Sequence, residues 1–194
     1  RTVGYMLALT CLYGVFTSYL GSSENIIGET FDRQEAFPVI FGALAAVMGV
    51  AMLANGRIVG RTGVVRLAHT ALVAYLAMAA AYAAVAVIGG GRPPLAVFIV
   101  GTGAMLAAHS FLIPNLNTMA MKPMARVAGT AAAVIGSIQV AGGALLGAVL
   151  DQAFDGTIRP LTLGFLGYGL LALVFVLVAG RGSLFAARTV DGDV

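Results

Sequence analysis

The stretch Val64-Val-Arg-Leu-Ala-His-Thr-Ala-Leu-Val-Ala-Tyr-Leu-Ala-Met-Ala-Ala-Ala-Tyr-Ala-Ala-Val-Ala-Val-Ile88 carries one charge, Arg66, close to its start. It is about 25 residues long, and as an α-helix it would reach about 38 Å, more than the roughly 30 Å of a bilayer's hydrocarbon core. It lacks the alternation of a barrel strand and is more than twice as long as one. The stretch predicts a membrane-spanning helix.

Working outward, five similar segments appear, so the spans lie at roughly 3–29, 37–56, 64–88, 94–121, 127–151 and 160–180. Short connectors separate them: Asp32 to Ala36, Arg57 to Gly63, Gly89 to Pro93, Lys122 to Arg126 and Gln152 to Arg159. A tail runs from Arg181 to Val194. The expected fold is an all-α integral membrane protein with six transmembrane helices.

Composition agrees. Of 194 residues, 60% are hydrophobic and 10% charged, with 26 Gly and no Trp. Counted with Gly and without Tyr, the apolar share is roughly 70%, against 45–50% for soluble domains. This excludes a soluble globular enzyme, a disordered chain and a nucleic-acid binder. The net charge is only +3, so the pI of 9.4 reflects a shortage of acids rather than a basic patch. The single cysteine, Cys11, allows neither an internal disulfide nor a Cys-based metal site. The chain opens on Arg1 without a signal-peptide layout, and we read it as a piece of something longer.

Orientation follows from the basic residues. One side receives Arg1, Arg57, Arg61, Arg66, Lys122, Arg126, Arg181 and Arg188; the other receives Arg33, Arg92 and Arg159. The poorer side also holds Glu29, Asp32, Glu35, Asp151 and Asp155. The positive-inside rule puts both termini and the second and fourth loops in the cytoplasm.

Polar residues inside the spans mark candidate sites. In span one, Tyr13, Thr17, Gly21 and Glu24 share a face, with Ser18, Ser22 and Asn25 on the adjacent strip. Such a sector should face protein or water. Glu24 lies about 30 Å along the helix, near the outer mouth. It reads either as a cation or proton site lining a cavity, or as an interfacial acid in a local Ser-Ser-Glu-Asn cap where the helix breaks. In span four, Thr102, Met105 and His109 follow helical spacing, and Pro114 should kink the helix just beyond. His109, about 22 Å deep, is either a proton-coupling group or a neutral interhelical hydrogen-bonding one. Span five carries a small-residue stripe: Gly129, Ala132, Gly136, Gln139, Gly143 and Gly147. The glycines should let helix backbones approach closely. Gln139 is either glue or a cavity-lining contact. Arg66 and His69 open span three, where an interfacial role is expected.

Other chemistry is missing. The two histidines are far apart on different spans, so no metal cluster is expected, and no cofactor. The Gly89-Gly90-Gly91 run lacks the lysine and hydroxyl of a phosphate loop. An intramembrane serine protease needs a histidine after its serine, whereas Ser137 follows both histidines. The chain is not expected to be an enzyme.

Three stretches carry a resemblance. Asn55-Gly-Arg-Ile-Val-Gly-Arg-Thr-Gly-Val-Val-Arg66 resembles the basic loop motif of the major facilitator superfamily, Gly-x-x-x-Asp-Arg-x-Gly-Arg-Arg. Gly56, Arg61 and Gly63 match, while Gly60 replaces the acid and Val64 a base. Arg57 and Arg66 belong to the same loop. Tyr19-Leu-Gly-Ser-Ser-Glu24 resembles the Gly/Ser-rich break in the seventh helix of drug:proton antiporters of the Bcr/CflA type, with Glu24 in place of an apolar residue. Pro114-Asn115 and Arg126-x-Ala128-Gly129-Thr130-Ala131 resemble that subfamily's tenth and eleventh helices.

The resemblance implies helices seven to twelve of a twelve-helix transporter in the cell (plasma or inner) membrane. It implies alternating access, with proton-driven efflux of drugs or amphipathic metabolites. The implied partners are a small-molecule substrate, protons, the lipid bilayer and the N-terminal six-helix half, with no nucleic acid. Spans one and four would line the cavity, two and five would meet the other half, and three and six would face lipid. A facilitator or symporter for a sugar or metabolite is the alternative within transport. A self-contained six-span assembly protein is the alternative outside it.

The topology is testable. In a Cys11→Ser background, cysteines at Asp32, Gly91 and Asp155 should react with an impermeant thiol reagent from outside, and cysteines at Thr62 and Pro123 should not. Outside labelling of the latter pair would reverse the orientation.

Overall fold

The apolar runs form helices whose starts and stops follow local chemistry. The protein is described by a computed structural model covering residues 1–182 and 184; Arg188 and the other tail positions lie outside the described residues. Six α-helices are described: α1 (Thr2–Asn25), α2 (Phe37–Thr62), α3 (Val64–Ile88), α4 (Leu95–Met121), α5 (Ala128–Gln152) and α6 (Arg159–Ala179). No strand occurs among the described residues. Three prolines sit where a missing N–H costs nothing: Pro38 and Pro160 in the first turns of α2 and α6, and Pro94 capping α4.

Five continuous helical stretches are long and apolar enough to cross a membrane, among the described residues. One of them, Leu95–Gln152, holds both α4 and α5 in 58 residues. Straight, it would measure about 87 Å. It is not straight: a 3-10 segment, Lys122–Val127, joins the two helices, with Met124 at non-helical φ −105° and ψ 17°.

Three sequence expectations change. The Arg57 to Thr62 segment, expected in a connector, belongs to α2, so the expected loop shrinks to a corner at Gly63. Gly63 adopts φ +78°, which an L side chain resists, and its N–H donates to the Val59 carbonyl at 2.9 Å. The Ser22–Asn25 segment does not break α1. Ser22 and Ser23 donate to the carbonyls of Ser18 and Leu20, so their hydroxyls are satisfied within the helix, which runs on into a π-helical turn, Ile26–Thr30. His69 is buried rather than interfacial.

Helix directions follow from which residues meet. Thr2 donates to the Ala120 carbonyl at 3.0 Å, and His109 Nε2 donates to the Leu12 carbonyl at 2.9 Å, so α4 runs against α1. Thr17 donates to the Gly143 carbonyl at 2.9 Å and Ser18 to Asp151 Oδ1 at 2.7 Å, so α5 runs with α1. Gly4 meets Ala179 and Gly14 meets Tyr168, so α6 runs against α1. Leu44 lies by Gly103 and Asn115 donates to Asn55, so α2 runs with α4. Tyr82 meets Thr102 and Tyr75 meets His109, so α3 runs against α4. Every helix is antiparallel to the one before it.

The packing pattern repeats. Helix α1 packs on α5 and α6, α4 packs on α2 and α3, α1 crosses α4, and α3 packs on α6. Exchanging α1–α3 with α4–α6 leaves this pattern unchanged and reverses every direction. The two halves of the bundle are thus inverted repeats that trade their middle helices. The residues agree: Ser18 lies six positions past Leu12, and Asn115 lies six past His109. Leu12 and His109 bond to each other, and Ser18 and Asn115 each bond to the traded helix.

The core lies around α1, α3, α4 and α6, where Tyr19, Tyr75, Phe98 and Phe165 are fully buried. Helices α2 and α5 are peripheral. Val39, Val50, Met52 and Leu53 on α2, and Val140, Leu145 and Val149 on α5, are more than half exposed. An apolar surface of that extent is compatible with a helical bundle in a membrane.

The glycine stripe of α5 packs only at its far end. A Cβ at Gly143 would lie 2.6 Å from the Tyr13 ring, and one at Gly147 would strike Thr17. Gly129 and Gly136, expected in the same interface, face open space within this chain because α1 meets α5 further on. Gly143→Leu should therefore destabilise the folded bundle by roughly 1–3 kcal/mol, the usual cost of overpacking. Gly167→Leu on α6, with open space beside it, should be neutral. Thermal unfolding in detergent compares the two.

Candidate functional site

Where α1, α2 and α4 converge, Tyr13, Phe16, Met48, Gly49, Met52, His109, Ser110, Ile113 and Pro114 line a pocket of about 200 Å³. It is smaller than the roughly 300–1,000 Å³ that encloses a drug-sized ligand. Gly49 and Met52 are exposed, so it opens on the bundle surface. Its walls are aromatic rings, thioethers and aliphatic chains.

The polar groups of this pocket are few and mostly committed. Ser110 donates to the Leu106 carbonyl at 3.1 Å. His109 packs among the rings of Phe16, Tyr75 and Phe165, with centroids 6.1, 5.4 and 6.3 Å away. A carbonyl can only accept, so the bond to Leu12 assigns the proton to Nε2. Nδ1 and the Tyr75 hydroxyl are buried without hydrogen-bond partners. The α4 backbone stays helical through Pro114. Asn115 Nδ2 donates to the Phe111 carbonyl at 2.7 Å and Thr118 to the Pro114 carbonyl at 2.8 Å, dressing the proline turn with side-chain donors.

Other candidates fall elsewhere. Thr17 is tied to the Tyr13, Gly14 and Gly143 carbonyls, which makes it α1–α5 glue. Thr102 shares a 3.0 Å hydrogen bond with the Tyr82 hydroxyl at the α3–α4 contact. Met105 is fully buried in the core. Gln139 is half-buried on α5 and does not line the pocket. Glu24 and Asn25 are exposed at the far end of α1, and Glu24 accepts a hydrogen bond from Gln34 at 3.1 Å. Gly56, Arg57, Arg61, Gly63 and Arg66 lie exposed at the opposite end of the bundle. Of the sequence candidates, only Tyr13 and His109 reach the pocket.

Sequence reasoning missed Asp151 as a site residue. Its carboxylate is half-buried between α5 and α1, bonded by Ser18 and resting against Gly21, where a Cβ would lie 2.8 Å from Oδ2. The signal was present: Gln139, Gly143, Gly147 and Asp151 recur every four residues and share a face. Phe16, Met48, Met52 and Tyr75 were also missed, because apolar residues in apolar runs give no sequence signal.

No protein-family model matches the chain, and no curated protein and no solved structure matches it.

The Asn115–Asn55 bond, 2.7 Å and buried, joins α4 to α2. Polar pairs between helices in membranes couple by about 0.6 kcal/mol on average, and at most about 1.7. A double-mutant cycle of Asn55→Ala and Asn115→Ala, read by reversible unfolding, should give a coupling of about 1 kcal/mol.

Proposed function

We propose that the chain is the C-terminal half of a major-facilitator-type secondary transporter, and that it takes part in proton-coupled efflux of drugs or amphipathic metabolites. The observation that carries this reading is the pair of inverted repeats crossing at α1 and α4. An apolar pocket lies at that crossing, with the exposed apolar flanks of α2 and α5 to either side. Inverted repeats meeting at a substrate site are the architecture through which alternating access works. An apolar pocket with one tyrosine and one histidine suits an amphipathic substrate better than a sugar, which needs many polar contacts.

In this reading each of the six helices spans the cell membrane, both ends of the fragment face the cytoplasm, and an N-terminal six-helix half supplies the pocket's other wall. Of the two acids at the outer end of α1 and α5, Asp151 is held between helices and Glu24 is exposed. Glu24 is assigned to attracting cationic compounds at the outer mouth, as an exposed negative charge there.

The test is dye efflux by the full-length protein in proteoliposomes. A proton gradient should drive export of cationic amphipathic dyes. Tyr13→Ala should lower it by roughly tenfold, in the range expected when a pocket wall is lost. Glu24→Gln should weaken export of cationic dyes and spare neutral ones. Gradient-independent dye distribution would end the antiporter reading. Unchanged efflux in Tyr13→Ala, at matched expression, would move the substrate elsewhere.

A further inference from the structure

The described acids gather at one end of the bundle, together with Arg33, Arg92 and Arg159, and the remaining described bases gather at the other. Six of its eight acids, Glu24, Glu29, Asp32, Glu35, Asp151 and Asp155, lie at the end where α1 and α5 finish. The other two, Asp191 and Asp193, lie outside the described residues. The opposite end holds Arg1, Arg57, Arg61, Arg66, Lys122, Arg126 and Arg181, and no acid among the described residues.

At that basic end a cleft of about 1010 Å³ opens between the α2–α3 corner and the end of α4. Arg66 and Lys122 line it, and both are exposed. Val64, Val65 and Met119 supply apolar wall. Thr62 and Thr118 donate their hydroxyl protons to the carbonyls of Ile58 and Pro114, which leaves Arg66, Lys122 and the Thr70 hydroxyl as the side-chain donors. The first amides of α3 open beside them, with no side-chain cap at Gly63. The cleft therefore presents two charges from different elements, with no carboxylate at that end among the described residues, directly over an apolar floor.

We propose that this cleft holds the phosphate of an anionic phospholipid, with the start of its acyl chains against Val64, Val65 and Met119. Three conditions select a lipid over a free anion. The cleft sits where long apolar helices end, so a headgroup reaches it from the adjoining leaflet. Its wall is apolar below the charges. The basic end is the one the positive-inside rule turns to the leaflet richest in anionic lipid. The bound lipid would join the end of α4 to the corner between α2 and α3. The proposal needs the chain to span a bilayer in that orientation but does not depend on what is transported.

The experiment measures lipid binding to the full-length protein in neutral detergent, by native mass spectrometry and thermal stability. Short-chain phosphatidylglycerol should bind and raise the melting temperature, whereas phosphatidylcholine and inorganic phosphate at equal concentration should do neither. The double variant Arg66→Gln, Lys122→Gln should lose roughly 30-fold in phosphatidylglycerol affinity, from about 1 kcal/mol per basic side chain at a membrane surface. Arg33→Gln with Arg92→Gln, at the other end, should bind as the parent does. Equal binding of phosphatidylcholine, or unchanged affinity in the first double variant, would overturn the proposal. So would stabilisation by inorganic phosphate alone, which would make the site a free-anion site.

Discussion

Helices α1 and α5 can touch backbone to backbone only because Gly143 and Gly147 have no side chains. At that contact Thr17 reaches the Gly143 carbonyl and Ser18 reaches Asp151. Between apolar helices in an apolar medium there is little to gain from hiding one hydrocarbon surface against another. Close packing and hydrogen bonds must supply the attraction instead. The α1–α5 seam has both. It fixes α1 against the second repeat, and α1 in turn positions Leu12 against His109, Gly4 against Ala179 and Tyr13 in the pocket wall. Helix α4 is held to α2 in the corresponding way, by the Asn115–Asn55 bond and by Leu44 against Gly103.

Which segments are helices was legible, because hydropathy and length decide that locally. How the helices pair was not. A stripe of glycines announces a close contact but does not name the partner, and half of this stripe meets nothing within the chain. The Arg57 to Thr62 segment looked like a loop because Arg57, Gly60 and Arg61 are loop-like in composition. It is helical because each backbone group still finds its partner one turn away, and arginines at a helix end extend to the polar boundary at little cost. The inverted repeat left no trace that composition could reveal: Leu12 and His109 are structurally equivalent but chemically unrelated.

That same inequivalence separates function from architecture. Ser18–Asp151 and Asn115–Asn55 stand at corresponding places in the two repeats and do the same structural task, tying a central helix to a traded one. An uncharged amide pair suffices at one place. The fold therefore does not require a carboxylate at the other, and the charge on Asp151 is free to serve something besides packing. The reverse holds for Thr17 and Thr102. Both looked like cavity residues by spacing, and both spend their hydroxyls on neighbouring helices, so they belong to the frame.

The sorting of charge has a topological cause. Six helices of alternating direction put the α1 start, the α2–α3 corner, the α4–α5 turn and the α6 finish at one end, and the remaining ends at the other. A chain that placed its bases in alternate connectors would thus collect them on one surface without bringing any two close in sequence. Arg66 and Lys122 show the result: separated by most of two helices along the chain, they face one cleft. Acids could have been interleaved to neutralise them, as on a soluble surface, but those described are all at the far end. Such a bundle is electrically polar along its axis: the acidic end has Arg33, Arg92 and Arg159 beside its carboxylates, whereas the basic end must find its counter-charges outside its own described residues. At the basic end the cleft over an apolar floor favours a counter-charge that itself carries hydrocarbon.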